Sequence, residues 1–127
     1  MTKYIVDTNI FLRFILKDNK KYFNQARKYF VQAKERKVTL ILLAPVVFEI
    51  DYVLKGVYSL SRKESANILS SLVKSADLEV KERKILIETI EKYKKINIDL
   101  VDIYLSEVAK QQKSKVLSFD RDFDKIK

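Results

Sequence analysis

The sequence predicts an α/β fold of three layers, with a central, mostly parallel sheet between helices. Three observations predict it. Short apolar runs, too brief for helices and rich in β-branched or aromatic residues, recur along the chain. Longer stretches between them carry apolar residues at helical spacing. The short runs are also apolar nearly throughout, as strands are when both faces of a parallel sheet are covered.

Strands are expected at residues 3–6, 38–43 and 115–119, with 78–80 a candidate fourth. After the first, residues 10–16 form a nearly all-apolar helix, assigned to the core in preference to a dimer surface. The clearest helical pattern covers residues 20–34, with Tyr22, Phe23, Ala26, Tyr29, Phe30 and Ala33 on one face. Val46, Val47, Ile50, Val53, Leu54 and Val57 repeat that spacing, and Gly56 near the end of the run suits a helix stop. Ser61 and Glu64 form a capping-box pattern opening a helix through Ala66, Leu69, Leu72, Val73 and Ala76. Two further helices are expected at residues 82–94 and 100–112. No repeat, linker or low-complexity segment interrupts the pattern, so a single domain over residues 1–127 is expected.

Composition excludes several chemistries. There is no Cys and no His, so disulfides, thiol nucleophiles, Cys/His zinc sites and imidazole bases are absent. One glycine and one proline leave no room for a Walker loop or a dinucleotide fingerprint, whose backbones need several glycines. A formal charge of +9, from 26 Lys and Arg against 17 Asp and Glu, favours polyanionic partners, although solvated helix faces account for part of it. The longest apolar stretch, residues 40–48, is interrupted by Pro45 and falls short of a membrane span. Only Tyr4-Ile5-Val6 separates Lys3 from Asp7, which is unlike a signal peptide, so a cytoplasmic location is expected.

Ligands of open parallel sheets bind beyond the carboxyl ends of the strands, and there the acids concentrate. Asp7 follows the first strand, Glu49 lies one turn into the helix after the second, and Asp120 and Asp122 follow residues 115–119. Asp99 and Asp102 open the last long helix. Asp7, Asp99 and Asp120 taken singly read first as N-caps. Glu49 shares a helix face with Val46, Ile50 and Val53, where a carboxylate would be buried unless paired or metal-bound. Four such acids in a basic chain are better explained by a shared hard cation, which takes carboxylate oxygens and needs no His.

These residues carry a resemblance. Val6-Asp7-Thr8-Asn9-Ile10, Phe48-Glu49-Ile50, the stretch from Asp99 to Leu105, and Ser118-Phe119-Asp120-Arg121-Asp122-Phe123 resemble the PIN domain in order and spacing. Within that family the chain is most similar to the VapC-type toxin ribonucleases of toxin–antitoxin pairs, over essentially its whole length. The resemblance implies that Asp7, Glu49, Asp102 and Asp120 are catalytic, metal-binding acids, with Asn9, Asp99, Ser118 and Asp122 supporting them. Ser118 stands where the family often has Thr and keeps the hydroxyl. It further implies Mg²⁺ or Mn²⁺ as cofactor, RNA as substrate, hydrolysis by metal-activated water, a cognate antitoxin and a homodimer, with no membrane partner.

Rival readings fit less well. A phosphoacceptor receiver domain wants adjacent acids after the first strand, where Thr8 follows Asp7. A haloacid-dehalogenase-type phosphatase wants a second acid at the position Asn9 holds. A non-catalytic RNA-binding module is the alternative from another class, supported by the charge and by seven Tyr and seven Phe, most of them at core spacing rather than arranged as stacking platforms. Ser71 with Lys74 matches a Ser-x-x-Lys pattern only by chance. Lys17, Lys20, Lys21, Arg36, Lys81, Arg83 and Arg121 are all candidates for phosphate contact.

Overall fold

A computed structural model describes residues 1–126. In order the elements are β1 (Thr2–Ile5), α1 (Thr8–Leu16), α2 (Lys20–Lys34), β2 (Val38–Leu42), α3 (Ala44–Gly56), α4 (Arg62–Lys74), β3 (Leu78–Val80), α5 (Arg83–Lys95), α6 (Leu100–Gln111) and a 3₁₀ turn (Arg121–Lys125). The three strands form a parallel sheet in the order β1-β2-β3, with Thr2 opposite Val38 and Leu40 opposite Leu78. Helices flank it, and the chain has the α/β architecture its pattern predicts. Each crossover contains two helices, except that β3 leads into α5 and α6 with no described strand after them.

Local chemistry accounts for the helix boundaries. Asn19 Oδ1 accepts from the Tyr22 amide at 3.1 Å and starts α2. Pro45 sits in the first turn of α3, where its missing N–H leaves nothing unpaired. The Ser61–Glu64 capping box is formed in both directions, each bond 3.0 Å long. Gly56 closes α3 as expected, with an ordinary backbone; Val57 stays right-handed, and the left-handed residue is Ser59, at φ 58°.

The core centres on Leu40 and Leu42 of β2, Val47, Ile50 and Leu54 of α3, Leu69 and Val73 of α4, Leu86, Ile90 and Tyr93 of α5, and Ile103 of α6. Phe11 and Leu12 of α1 are buried, while Ile10 is exposed and Phe14, Ile15 and Leu16 are half-buried, so the helix enters the core by one face only. The α1–α2 hairpin is filled by aromatic rings, Phe14 stacking on Phe30 at 4.1 Å and on Phe23 at 5.8 Å. Arg62 joins α4 to the end of α5: its guanidinium donates to the Tyr93, Ile96 and Ile98 carbonyls and lies 3.6 Å from the Tyr93 ring centroid. Arg83 donates to the Val73, Ser75 and Leu78 carbonyls and Arg36 to that of Ala76, so both are engaged in holding the fold.

Two expectations about the sheet are corrected. Residues 115–119 are not a strand: Leu117 and Phe119 are fully exposed, and the third strand is 78–80. β propensity describes side chains suited to a pleated surface, whereas a strand also requires a neighbouring ladder. This segment is instead turned by local bonds, Ser114 N–H to the Ala109 carbonyl and Asp120 N–H to Ser118 Oγ. Nor is the sheet evenly covered, since every residue of β1 is exposed, Ile5 at 70%. Among the described residues no helix is long and apolar enough to cross a membrane.

Candidate metal centre

The acids singled out in the sequence divide into those that meet and those that do not, and Asp120 and Asp122 follow an irregular segment rather than a strand. Asp102, in the first turn of α6, and Asp120 and Asp122, at the start of the 3₁₀ turn, each place a carboxylate oxygen within 4.8 Å of the others. Burial first, and then the charges of Asp99, Asp120 and Asp122, push the Asp102 carboxyl above its ordinary range. Local bonds set the trio: Ser118 Oγ accepts from the Asp120 amide at 2.9 Å, and Asp120 Oδ1 accepts from the Asp122 amide at 2.9 Å. Lys125 pairs with Asp122 at 3.4 Å.

Asp7 and Glu49 stand apart from this trio. Asp7 follows β1 at the N-cap position of α1 but makes no side-chain cap bond, so the capping explanation for it fails. Asp99 likewise precedes α6 without capping it. Asn9 lies exposed in the first turn of α1. Between Asp7 and Asn9, Thr8 is 2% exposed and its hydroxyl has no hydrogen-bond partner among the described residues.

Glu49 is exposed rather than buried, and the helix explains why. Val47, Ile50 and Leu54 face the core, a stripe at i, i+3 and i+7 that carries Asp51 inward with it and turns Glu49 out. Asp51 is thus the buried acid of α3, 5% exposed. It accepts from Ser65 Oγ at 2.7 Å and from the Tyr93 hydroxyl at 2.8 Å, and pairs with Lys55 at 3.2 Å. Sequence reasoning missed it, although its i+4 spacing from Val47 was the available signal.

Glu82 was missed as well. It follows β3 in the left-handed region at φ 58° and receives the Tyr104 hydroxyl on both carboxylate oxygens, at 2.7 and 2.9 Å. Burial and that carboxylate push the Tyr104 phenol up to about 12. The Tyr104 ring meets Phe48 edge to face at 4.9 Å, which ties α6 to both α3 and the end of β3.

Of the cavities among the described residues, two lie beside α3 or α1. One of about 550 Å³ opens among α1, α2 and α4, and no acid of the trio lines it. The other, about 510 Å³, lies between α3 and the start of α6, with Asp99 on its wall. A trio of crowded carboxylates with an all-oxygen donor set fits a hard divalent cation, which would remove the repulsion between them.

The PIN domain family matches residues 4–127. No curated protein and no solved structure matches the chain. PIN domains are generally metal-dependent nucleases, they typically bind divalent metals, and they act on nucleic acid. With a parallel sheet flanked by helices, three carboxylates gathered within 4.8 Å of one another, and a family match over nearly the whole chain, this protein belongs to the PIN domain family.

Proposed function

We propose that the chain is a Mg²⁺- or Mn²⁺-dependent endoribonuclease of the VapC type, the toxin of a type II toxin–antitoxin pair, with residues 1–127 as one catalytic unit. The carrying observation is the approach of Asp102, Asp120 and Asp122 within 4.8 Å. In this reading Asp102 and Asp120 are ion ligands and Asp122 joins them, while Asp7 and Glu49, outside the 4.8 Å cluster, are further catalytic, metal-binding acids that close on the ion only when it and RNA are bound. Asn9, Asp99 and Ser118 support it, Ser118 through its bond to the Asp120 amide. The bound ion supplies Lewis acidity toward a phosphate oxygen and toward water.

The protein's own part is to place charge. Without His, proton transfer at the reacting water falls to these carboxylates. Lysines and arginines of a chain at +9 hold the flanking phosphates and offset the repulsion between RNA and the acids. Lys17, Lys20, Lys21, Lys81 and Arg121 are better suited than Arg36 and Arg83, whose guanidiniums bond to carbonyls. A cognate antitoxin, a homodimer and a cytoplasmic setting belong to the same reading. For a non-catalytic RNA-binding module the aromatic evidence is divided: Phe11, Phe14, Phe23, Phe30 and Tyr93 pack against one another or in the core, whereas Tyr22 and Tyr29, expected on the packed face of α2, are exposed, as is Tyr52; the crowded acidic trio favours the nuclease.

The deciding experiment incubates purified protein with structured and single-stranded RNA in Mg²⁺, Mn²⁺ or EDTA. Cleavage with either ion, none in EDTA, and a loss of about 100-fold or more in Asp102→Asn and Asp120→Asn are expected. Cleavage that survives EDTA defeats the metal reading, and RNA retained intact under every condition favours the binding module.

A further inference from the structure

Gly56 is the only glycine in the chain, yet its backbone does not call for one. It closes α3 outside the left-handed region, where glycine is about 1 kcal/mol less favourable than alanine. What its missing side chain leaves is room. A Cβ at this position meets no atom within 4 Å, and Gly56 lines the cavity of about 510 Å³ between α3 and the start of α6.

The groups around that room have unused binding capacity. Tyr52, also on the cavity wall, is 74% exposed, leaving a ring face for a planar ligand. Asp99 stands at the N-cap position of α6 without accepting from its helix, so its oxygens are free of that duty. Lys55 directs protons to Asp51 and to the Tyr93 hydroxyl, and an ammonium has three. Asp99, at the N-cap of α6, stands one helical turn before Asp102, which sets the cavity beside the acidic trio. An aromatic face and an ammonium donor on the α3 side and a carboxylate acceptor on the α6 side match an unpaired nucleobase: a π face to stack, N–H groups to donate and a carbonyl to accept.

We propose that the cavity between α3 and α6 binds the base of the nucleotide next to the phosphodiester at the acidic trio. Tyr52 stacks on the base, Asp99 and Lys55 read its edge, and Gly56 keeps the space open. The assignment of that phosphodiester rests on the ribonuclease reading, so the test observes base binding apart from cleavage.

The sole glycine gives one glycine amide signal in a nitrogen–proton correlation spectrum, a direct reporter from the cavity wall. The full chain in EDTA is titrated with AMP, GMP, CMP and UMP, and with ribose 5-phosphate, which has no base. At least one nucleotide should shift the Gly56 signal saturably and ribose 5-phosphate should not. In parallel, Gly56→Leu and Tyr52→Ala should raise KM for RNA about tenfold or more, as loss of one stacked base does, with kcat within about twofold. Gly56→Leu should melt no lower than wild type, since leucine favours the helix.

No shift with any nucleotide, an equal shift with ribose 5-phosphate, or unchanged KM in both variants overturns the proposal. A signal that moves with protein concentration and not with nucleotide assigns the face to a second copy and also overturns it. A nucleotide-specific shift in a protein that cuts no RNA upholds the cavity and defeats the ribonuclease reading instead.

Discussion

Asp102 and Asp51 are both aspartates on helices, α6 and α3, and their surroundings differ. Asp51 is buried among donors from Ser65, Tyr93 and Lys55; Asp102 is half-buried among acids. Because its carboxyl is raised in the folded chain, the native state binds more protons than the unfolded one. Asp102 therefore costs stability as pH rises from the ordinary carboxylate range through the raised value. Asp102→Asn should melt at or above the wild-type temperature without metal, and Mn²⁺ should raise its melting temperature less than it raises that of wild type. Equal ion-induced shifts would remove Asp102 from the ion's ligands. Asp51→Ala strands three donors and should cost about 2–3 kcal/mol in urea denaturation. Glu49→Ala, on the exposed side of the same helix, should stay within about 0.5 kcal/mol.

Elements are held by charge-assisted bonds at their ends as much as by their faces. The Arg62 guanidinium serves three carbonyls around the end of α5, a geometry a single ammonium cannot copy. Arg62→Ala should lose about 2 kcal/mol, and Arg62→Lys should recover little of it, in the same urea assay. At the other end of that contact, the Ser61 amide and then the Ser61 hydroxyl hold the Glu64 carboxyl below its ordinary range. A lowered folded-state value contributes stability above the unfolded value and loses it as pH falls through the folded one. Melting curves between about pH 6 and pH 3 should therefore fall more steeply for wild type than for Glu64→Gln, which keeps an acceptor for the Ser61 amide but does not titrate. An equal fall in both proteins would mean that the capping box carries no pH-dependent stability.

For the whole molecule the governing quantity is charge. At +9, RNA affinity of a cleavage-deficient variant should fall steeply as salt is raised, with a slope set by the number of phosphates neutralised. A flat response from low to physiological salt would leave the lysines as solvating groups only. The fully exposed Leu117 and Phe119 contribute no burial, so Leu117→Ser and Phe119→Ser should each change unfolding free energy by less than about 0.5 kcal/mol. A larger loss would place that segment against the sheet.

What could be read without the structure was what neighbours in sequence decide. Helix periodicity, the Asn19 cap, Pro45 in a first turn and the Ser61–Glu64 box all act within four residues, and α2 runs over 20–34 as its spacing predicts. The absence of His and Cys and the candidacy of Asp102, Asp120 and Asp122 were equally legible, although the strand expected before Asp120 was not formed. Tertiary structure alone decided which acids meet, and it brought in Asp122 while leaving Glu49 outside. It also buried Asp51, placed the third strand at 78–80, and put Gly56 on a cavity wall. The physical reason is range: caps and periodicity are set within one or two helical turns, whereas a ladder partner, a buried carboxylate's donors or a metal's ligands come from residues that crossovers carry together across the chain.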